Sequence, residues 1–141
     1  MGLFAAAGRW YRRWRPEKTL GERGEALAAR YLRRRGYRIL GRHVRLPSGE
    51  LDLVALDGKT IVFIEVKTRK SDQHGQPSEA VTPEKQRRLT RLAVTFLKRH
   101  RLHEHPARFD VIGITWPDGE KPCVEHFVNA FEAVGQSEFY S

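Results

Sequence analysis

The stretch SGELDLVALDGKTIVFIEVKTR, residues 48–69, decides how the rest of the chain is read. Two apolar runs, 50–56 and 60–68, flank Asp57-Gly58, a dipeptide that marks a tight hairpin between strands. Yet Glu50, Asp52, Glu65 and Lys67 lie inside those runs. Strand side chains alternate between faces, so Glu50 shares a face with Asp52, and Glu65 shares one with Lys67. A two-residue turn at 57 and 58 sets residue 50 opposite 65, and a four-residue turn sets 52 opposite 65. Either register brings all four to one side of the sheet, whereas a slip of one residue divides them. Ile61 and Phe63 share the face of Glu65, while Val62, Ile64 and Val66 fill the other. The strand is therefore apolar on both sides and ends in ions.

Three clustered carboxylates raise one another's pKa, and Lys67 offsets only one charge. A hard divalent cation would offset the rest, since Mg²⁺ takes oxygen ligands and is commonly held by one or two carboxylates with water and phosphate. The other reading is an exposed sheet face carrying ordinary salt bridges. The spacing alone leaves both open.

Outward from the hairpin, residues 18–35 repeat apolar or small side chains at three- and four-residue spacing (Leu20, Gly24, Leu27, Ala28, Tyr31, Leu32), and Gly36 is a stop signal. Residues 37–46 read as a strand, and Pro47, Ser48 and Gly49 as a turn. After a polar loop at 70–81, Thr82 caps a helix that opens with Pro83 and runs to about His100. Strands are expected at 108–116 and 123–131. The order αβββαββ predicts an α/β fold, a mixed sheet flanked by helices. Residues 1–16 form a basic aromatic arm, 17–131 the domain and 132–141 a tail.

The single cysteine, Cys123, excludes an internal disulfide and is expected to be a small core residue. No apolar run approaches the ~20 residues of a membrane span. The N-terminal MGLFAAAGRWYRRWRP has a short apolar part whose charges follow it, unlike a secretory signal, so a cytoplasmic location is expected. Net charge is +9, split as 24 basic and 10 acidic residues over 1–101 against 2 and 7 over 102–141. Such a surface favours polyanions, nucleic acid first. The arginine-rich segments 31–45 and 85–101 contain no acid, and their apolar faces point inward. Arg33, Arg34, Arg42, Arg45, Arg69, Lys85, Arg87, Arg88 and Arg91 are thus expected to flank the acidic cluster and bind DNA phosphates. GKT at 58–60 lacks the first glycine of a phosphate loop, and His100, His103 and His105 fall at a helix end without a fourth ligand.

An Asp, a short hairpin and then Glu-x-Lys resemble the metal-dependent nuclease superfamily PD-(D/E)XK, with its restriction-endonuclease-like fold; residue 51 is Leu where that pattern has Pro. More closely, GERGEALAARYLRRRGYRIL, GELDLVALD, VFIEVKTR, AVTPEKQRRLTRLA, RFDVIGI and HFVNAF resemble the YraN family of small bacterial proteins over nearly all of 21–131. The chain is also similar to the archaeal Holliday-junction resolvases. The resemblance implies that Asp52 and Glu65 ligate Mg²⁺ or Mn²⁺, helped by the Val66 carbonyl. It also implies that Lys67 serves the attacking water or the phosphorane charge. Glu25 would add a ligand, Glu50 would support the site, and Gln86 would sit beside it. The implied activity is hydrolysis of DNA phosphodiester bonds, branched DNA included, by a protein that could act as a two-fold dimer. The competing function is a nucleic-acid-binding module without catalysis.

Overall fold

The computed structural model describes residues 18–71 and 81–134. The basic arm at 1–16, most of the loop expected at 70–81 and the tail beyond 134 lie outside the described residues. Helix α1 spans Leu20–Arg34, followed by β1 Arg38–Leu46, β2 Gly49–Asp57, β3 Thr60–Arg69, helix α2 Pro83–Arg99, β4 Ala107–Thr115 and β5 Cys123–Phe131. This is the αβββαββ order expected from the sequence. Local chemistry fixes the helix starts. The Thr19 and Thr82 hydroxyls each accept an amide N–H at 3.2 Å, from Glu22 and Lys85 respectively, satisfying donors that the first turn leaves free. Helix α1 stops where Gly36 takes φ +88°, a conformation that costs glycine little.

The five strands lie in sequence order, β1-β2-β3-β4-β5. Among the described strands only β3 and β4 run parallel, which requires a crossover, and α2 lies within it. The helices cover opposite faces. Leu89, Leu92, Phe96 and Leu97 of α2 pack over Phe63, Phe109 and Val111, while Ala28, Ala29 and Leu32 of α1 pack over Val62, Ile64 and Ile112. Both faces of β3 are buried along its first half, as its uninterrupted apolar run requires. The architecture is an α/β layered sheet, consistent with a nuclease-like fold.

The hairpin turns at Gly58-Lys59, with Gly58 at φ +61° and Asp57 paired to Thr60. Pairing of Leu56 with Ile61 continues to Leu53 with Ile64. That register sets Asp52 across from Glu65. There the two strands part: the first residues of β2 continue against β1, and the end of β3 continues against β4. Cys123 departs from expectation. It opens the edge strand β5 and is exposed, because the sheet has no further strand to cover it.

Candidate active site

The fork between β2 and β3 holds the acidic cluster. Past Leu53 and Ile64 the next ladder contact is made by a side chain: the Val66 N–H donates to Asp52 Oδ2 at 3.0 Å. Asp52 and Glu65 line one small cavity with Leu51, Phe63, Leu89 and Phe109. Burial and the facing Glu65 carboxylate push the Asp52 carboxyl up to about 7. Helix α2 contributes Lys85, whose Nζ lies 2.7 Å from Glu65 Oε1. The Lys67 side chain, two residues beyond Glu65, is half-buried and makes no ion pair or hydrogen bond with another described residue.

Helix α1 brings Glu25 to the same region through Gly24. A Cβ on Gly24 would stand 1.8 Å from Thr68 Oγ1, so only glycine lets the helix sit this close to the end of β3. Glu25 and Glu50 meet at His43. Nδ1 of His43 donates to Glu50 Oε1 at 2.8 Å, and Nε2 forms an ion pair with Glu25 Oε2. The hydrogen bond to Glu50 and the nearby charges of Glu25, Glu50 and Asp52 raise the His43 pKa against the opposing effect of burial. Burial raises the Glu25 carboxyl, with His43 pulling the other way. Glu25 Oε2 is buried and makes no hydrogen bond of good geometry despite that ion pair. His43 is absent from the sequence expectations. Its backbone has φ +49°, a left-handed conformation for which His is among the more tolerant residues, and it follows the irregularity between Ile39 and Gly41 in β1. An Asn, Asp or His inside a strand pattern is the only sequence signal for such a position, and a weak one.

The other expected residues divide. Lys85, Arg88 and Arg91 line an open groove of about 380 Å³ with Thr82 and Glu84. Arg87 stands exposed outside that lining. Arg42 and Arg45 are exposed on β1, with Arg42 close enough to Glu25 to lower its pKa. Arg69 ends β3. Arg33 and Arg34 lie at the far end of α1, about 12 Å along the helix from Glu25, so they are not part of the cluster. Gln86, on the first turn of α2 beside Lys85, donates from Nε2 to the Val81 carbonyl at 3.0 Å.

The donors suit a hard cation resting on few protein groups. Asp52 and Glu65 set two carboxylates beside one lysine, Lys85, and burial, with the Glu65 charge added to it, raises the Asp52 pKa. Among the described residues no three His, Cys, Asp or Glu side chains are arranged to hold a metal ion by themselves. A cation here would use the two carboxylates, with water, backbone or substrate oxygens completing its shell, which is the habit of Mg²⁺.

On the opposite face a second polar network holds the sheet. Asp110, fully buried, accepts from Arg108 Nε at 3.0 Å, His126 Nε2 at 2.7 Å and the Asn129 N–H at 3.0 Å. Burial raises its pKa, but these donors outweigh it and hold the carboxyl below its ordinary value. Arg108 reaches on to Asp57 and the Tyr37 hydroxyl, joining β2 and the α1–β1 turn to β4.

Among the described residues, two helices on an α/β sheet with paired carboxylates at a strand fork define the class. Within it, the chain belongs to the uncharacterised protein family UPF0102, whose model matches residues 24–114. It is 53% identical to a UPF0102 protein of Geobacter metallireducens over 82% of this chain and 93% of that one. It is 52% identical to one of Geobacter sulfurreducens, over 82% and 90%. A UPF0102 protein of Symbiobacterium thermophilum is 50% identical over 82% and 98%. The matched span includes Glu25, the whole β2–β3 hairpin and α2.

Proposed function

We propose that the protein is a Mg²⁺- or Mn²⁺-dependent endonuclease that hydrolyses DNA phosphodiester bonds, branched DNA among its substrates. The observation that carries this is the meeting of Asp52 and Glu65 at the fork, with Lys67 two residues further along the same strand. A divalent ion bound by the two carboxylates would polarise the scissile phosphate and ease deprotonation of water. Asp52 is held in place by the Val66 N–H and Glu65 by Lys85. Lys67, with no described residue to neutralise, supplies a positive charge where the phosphoryl oxygens gain negative charge in the transition state. The groove of Lys85, Arg88 and Arg91 gives the flanking phosphates a path along α2.

No helix among the described residues is long and apolar enough to cross a membrane. The proposed site of action is the cytoplasm. A two-fold dimer would present two such sites to two strands. The second reading is a nucleic-acid-binding module without catalysis. It draws on one observation: Lys85 and His43 already pair three of the four acids. The deciding experiment incubates the protein with linear, single-stranded and branched DNA in Mg²⁺ or Mn²⁺. Metal-dependent nicks that vanish in Asp52→Asn support hydrolysis. DNA binding with no cleavage of any substrate supports the module.

A further inference from the structure

A second groove lies where α1 and the residue before it meet Trp116, the residue after β4. It has a volume of about 150 Å³ and is lined by Lys18, Arg23, Ala26, Leu27, Arg30 and Trp116. Three of the six are cations and none is an acid. The Arg23 guanidinium sits 4.2 Å over the Trp116 ring, a layered arrangement of two flat π surfaces. Ala26 and Leu27 give an apolar wall, and Lys18 and Arg30 are exposed beside it. The nearby acid Asp118 is engaged by Lys70 at 3.3 Å.

The groove is joined to the carboxylate cluster by short covalent paths. Arg23 and Glu25 flank Gly24, which is seated on Thr68. The Trp116 N–H donates to the Arg69 carbonyl at 2.7 Å, and Arg69 is two residues beyond Lys67 on β3. Trp116 and Lys67 therefore lie toward the same end of the paired strands β3 and β4.

We infer that this groove binds an unpaired nucleotide, its base against the Arg23–Trp116 layer and its phosphates on Lys18 and Arg30. The inference rests on the nuclease reading and narrows the substrate to duplex DNA bearing a single-stranded flap or tail. The pocket is too small for a duplex. Aromatic and guanidinium faces accept any base by stacking, so recognition is of unpairing and not of sequence.

The test is fluorescence anisotropy on the full chain with two labelled DNAs of equal length, one a blunt duplex and one a duplex with a single-stranded tail. The wild type should bind the tailed DNA about tenfold more tightly, the scale of one base stack. Trp116→Leu, which keeps an apolar side chain against the core, should lose that advantage and bind the blunt duplex unchanged. Trp116→Phe should retain most of it. The exposed double substitution Lys18→Glu, Arg30→Glu should lose it as well, and it serves if Trp116→Leu fails to fold. No tail advantage in the wild type, or equal weakening on both DNAs in the variants, overturns the inference while leaving the nuclease reading intact. Failure to bind either DNA removes both.

Discussion

Asp52 is a carboxyl whose proton matters at neutral pH. Its pKa rises from the ordinary 3.8 to about 7 because it is buried and faces Glu65. The folded state therefore binds this proton more tightly than the unfolded chain. The contribution to stability is complete below the unfolded value of 3.8 and is lost as pH climbs to about 7. His43, whose pKa is also raised, adds a loss in the same direction as pH passes through its folded value. Metal-free protein should melt at a lower temperature at pH 8 than at pH 5. Asp52→Asn keeps an oxygen to accept the Val66 N–H and removes the repulsion. It should gain on the order of 1–2 kcal/mol at pH 8 and little at pH 4, measured by thermal melts. A variant less stable than wild type at pH 8 would contradict the repulsion. Lys67→Ala should change stability by no more than about 0.5 kcal/mol and, under the proposed function, lower cleavage at least ~100-fold, because its side chain pairs with no described residue and its charge would serve the reaction. Asp52, Glu65 and Lys67 are legible in the sequence because strand alternation places them. His43 and the Lys85–Glu65 pair are not: one needs a left-handed strand residue, the other the seating of a helix on a distant strand.

At the scale of elements, the approach of α1 to β3 depends on one missing Cβ. Gly24→Ala would set a methyl 1.8 Å from Thr68 Oγ1, and Thr68 is β-branched and cannot easily swing aside. The expected cost is about 1–3 kcal/mol, with Glu25 displaced from His43. Gly24→Ala with Thr68→Ala should recover part of it; denaturant melts of the single and double variants would show this, and no recovery would place the strain elsewhere. Asp110→Ala leaves Arg108 and His126 without their buried partner and should cost about 3–5 kcal/mol. Since Asp110's pKa is lowered, its contribution is present above the ordinary carboxylate range and fades as pH falls through the folded value. The difference between wild type and Asp110→Ala should therefore shrink in acid. Element order is readable locally, since Thr82-Pro83, Asp57-Gly58 and Gly36 each carry their own signal, whereas the Thr19 cap lies inside the stretch read as helix from residue 18. The fork is not, because β2 and β3 part only when each takes a different outer neighbour. Cys123 shows the same limit, its exposure following from an edge position that its own apolar run does not reveal.

Across the molecule, if the proposed function holds, the +9 charge and the groove of Lys85, Arg88 and Arg91 would make the DNA phosphate backbone the main source of affinity. DNA affinity should fall steeply with salt, and replacing Arg88 should reduce the slope of log K against log salt by about 1, alike for all sequences. A salt-independent affinity would remove the electrostatic basis of binding. If the Asp52–Glu65 pair holds a cation, a Mn²⁺ titration at pH 8, read by melting temperature, shows it most directly. Wild-type protein should melt progressively higher as Mn²⁺ is added, because the ion binds the folded state alone. Asp52→Asn should begin higher and stay level, and Lys67→Ala should still respond. A wild-type melt unmoved by Mn²⁺, or an equal rise in Asp52→Asn, would contradict the account and leave the four residues as a structural charge network.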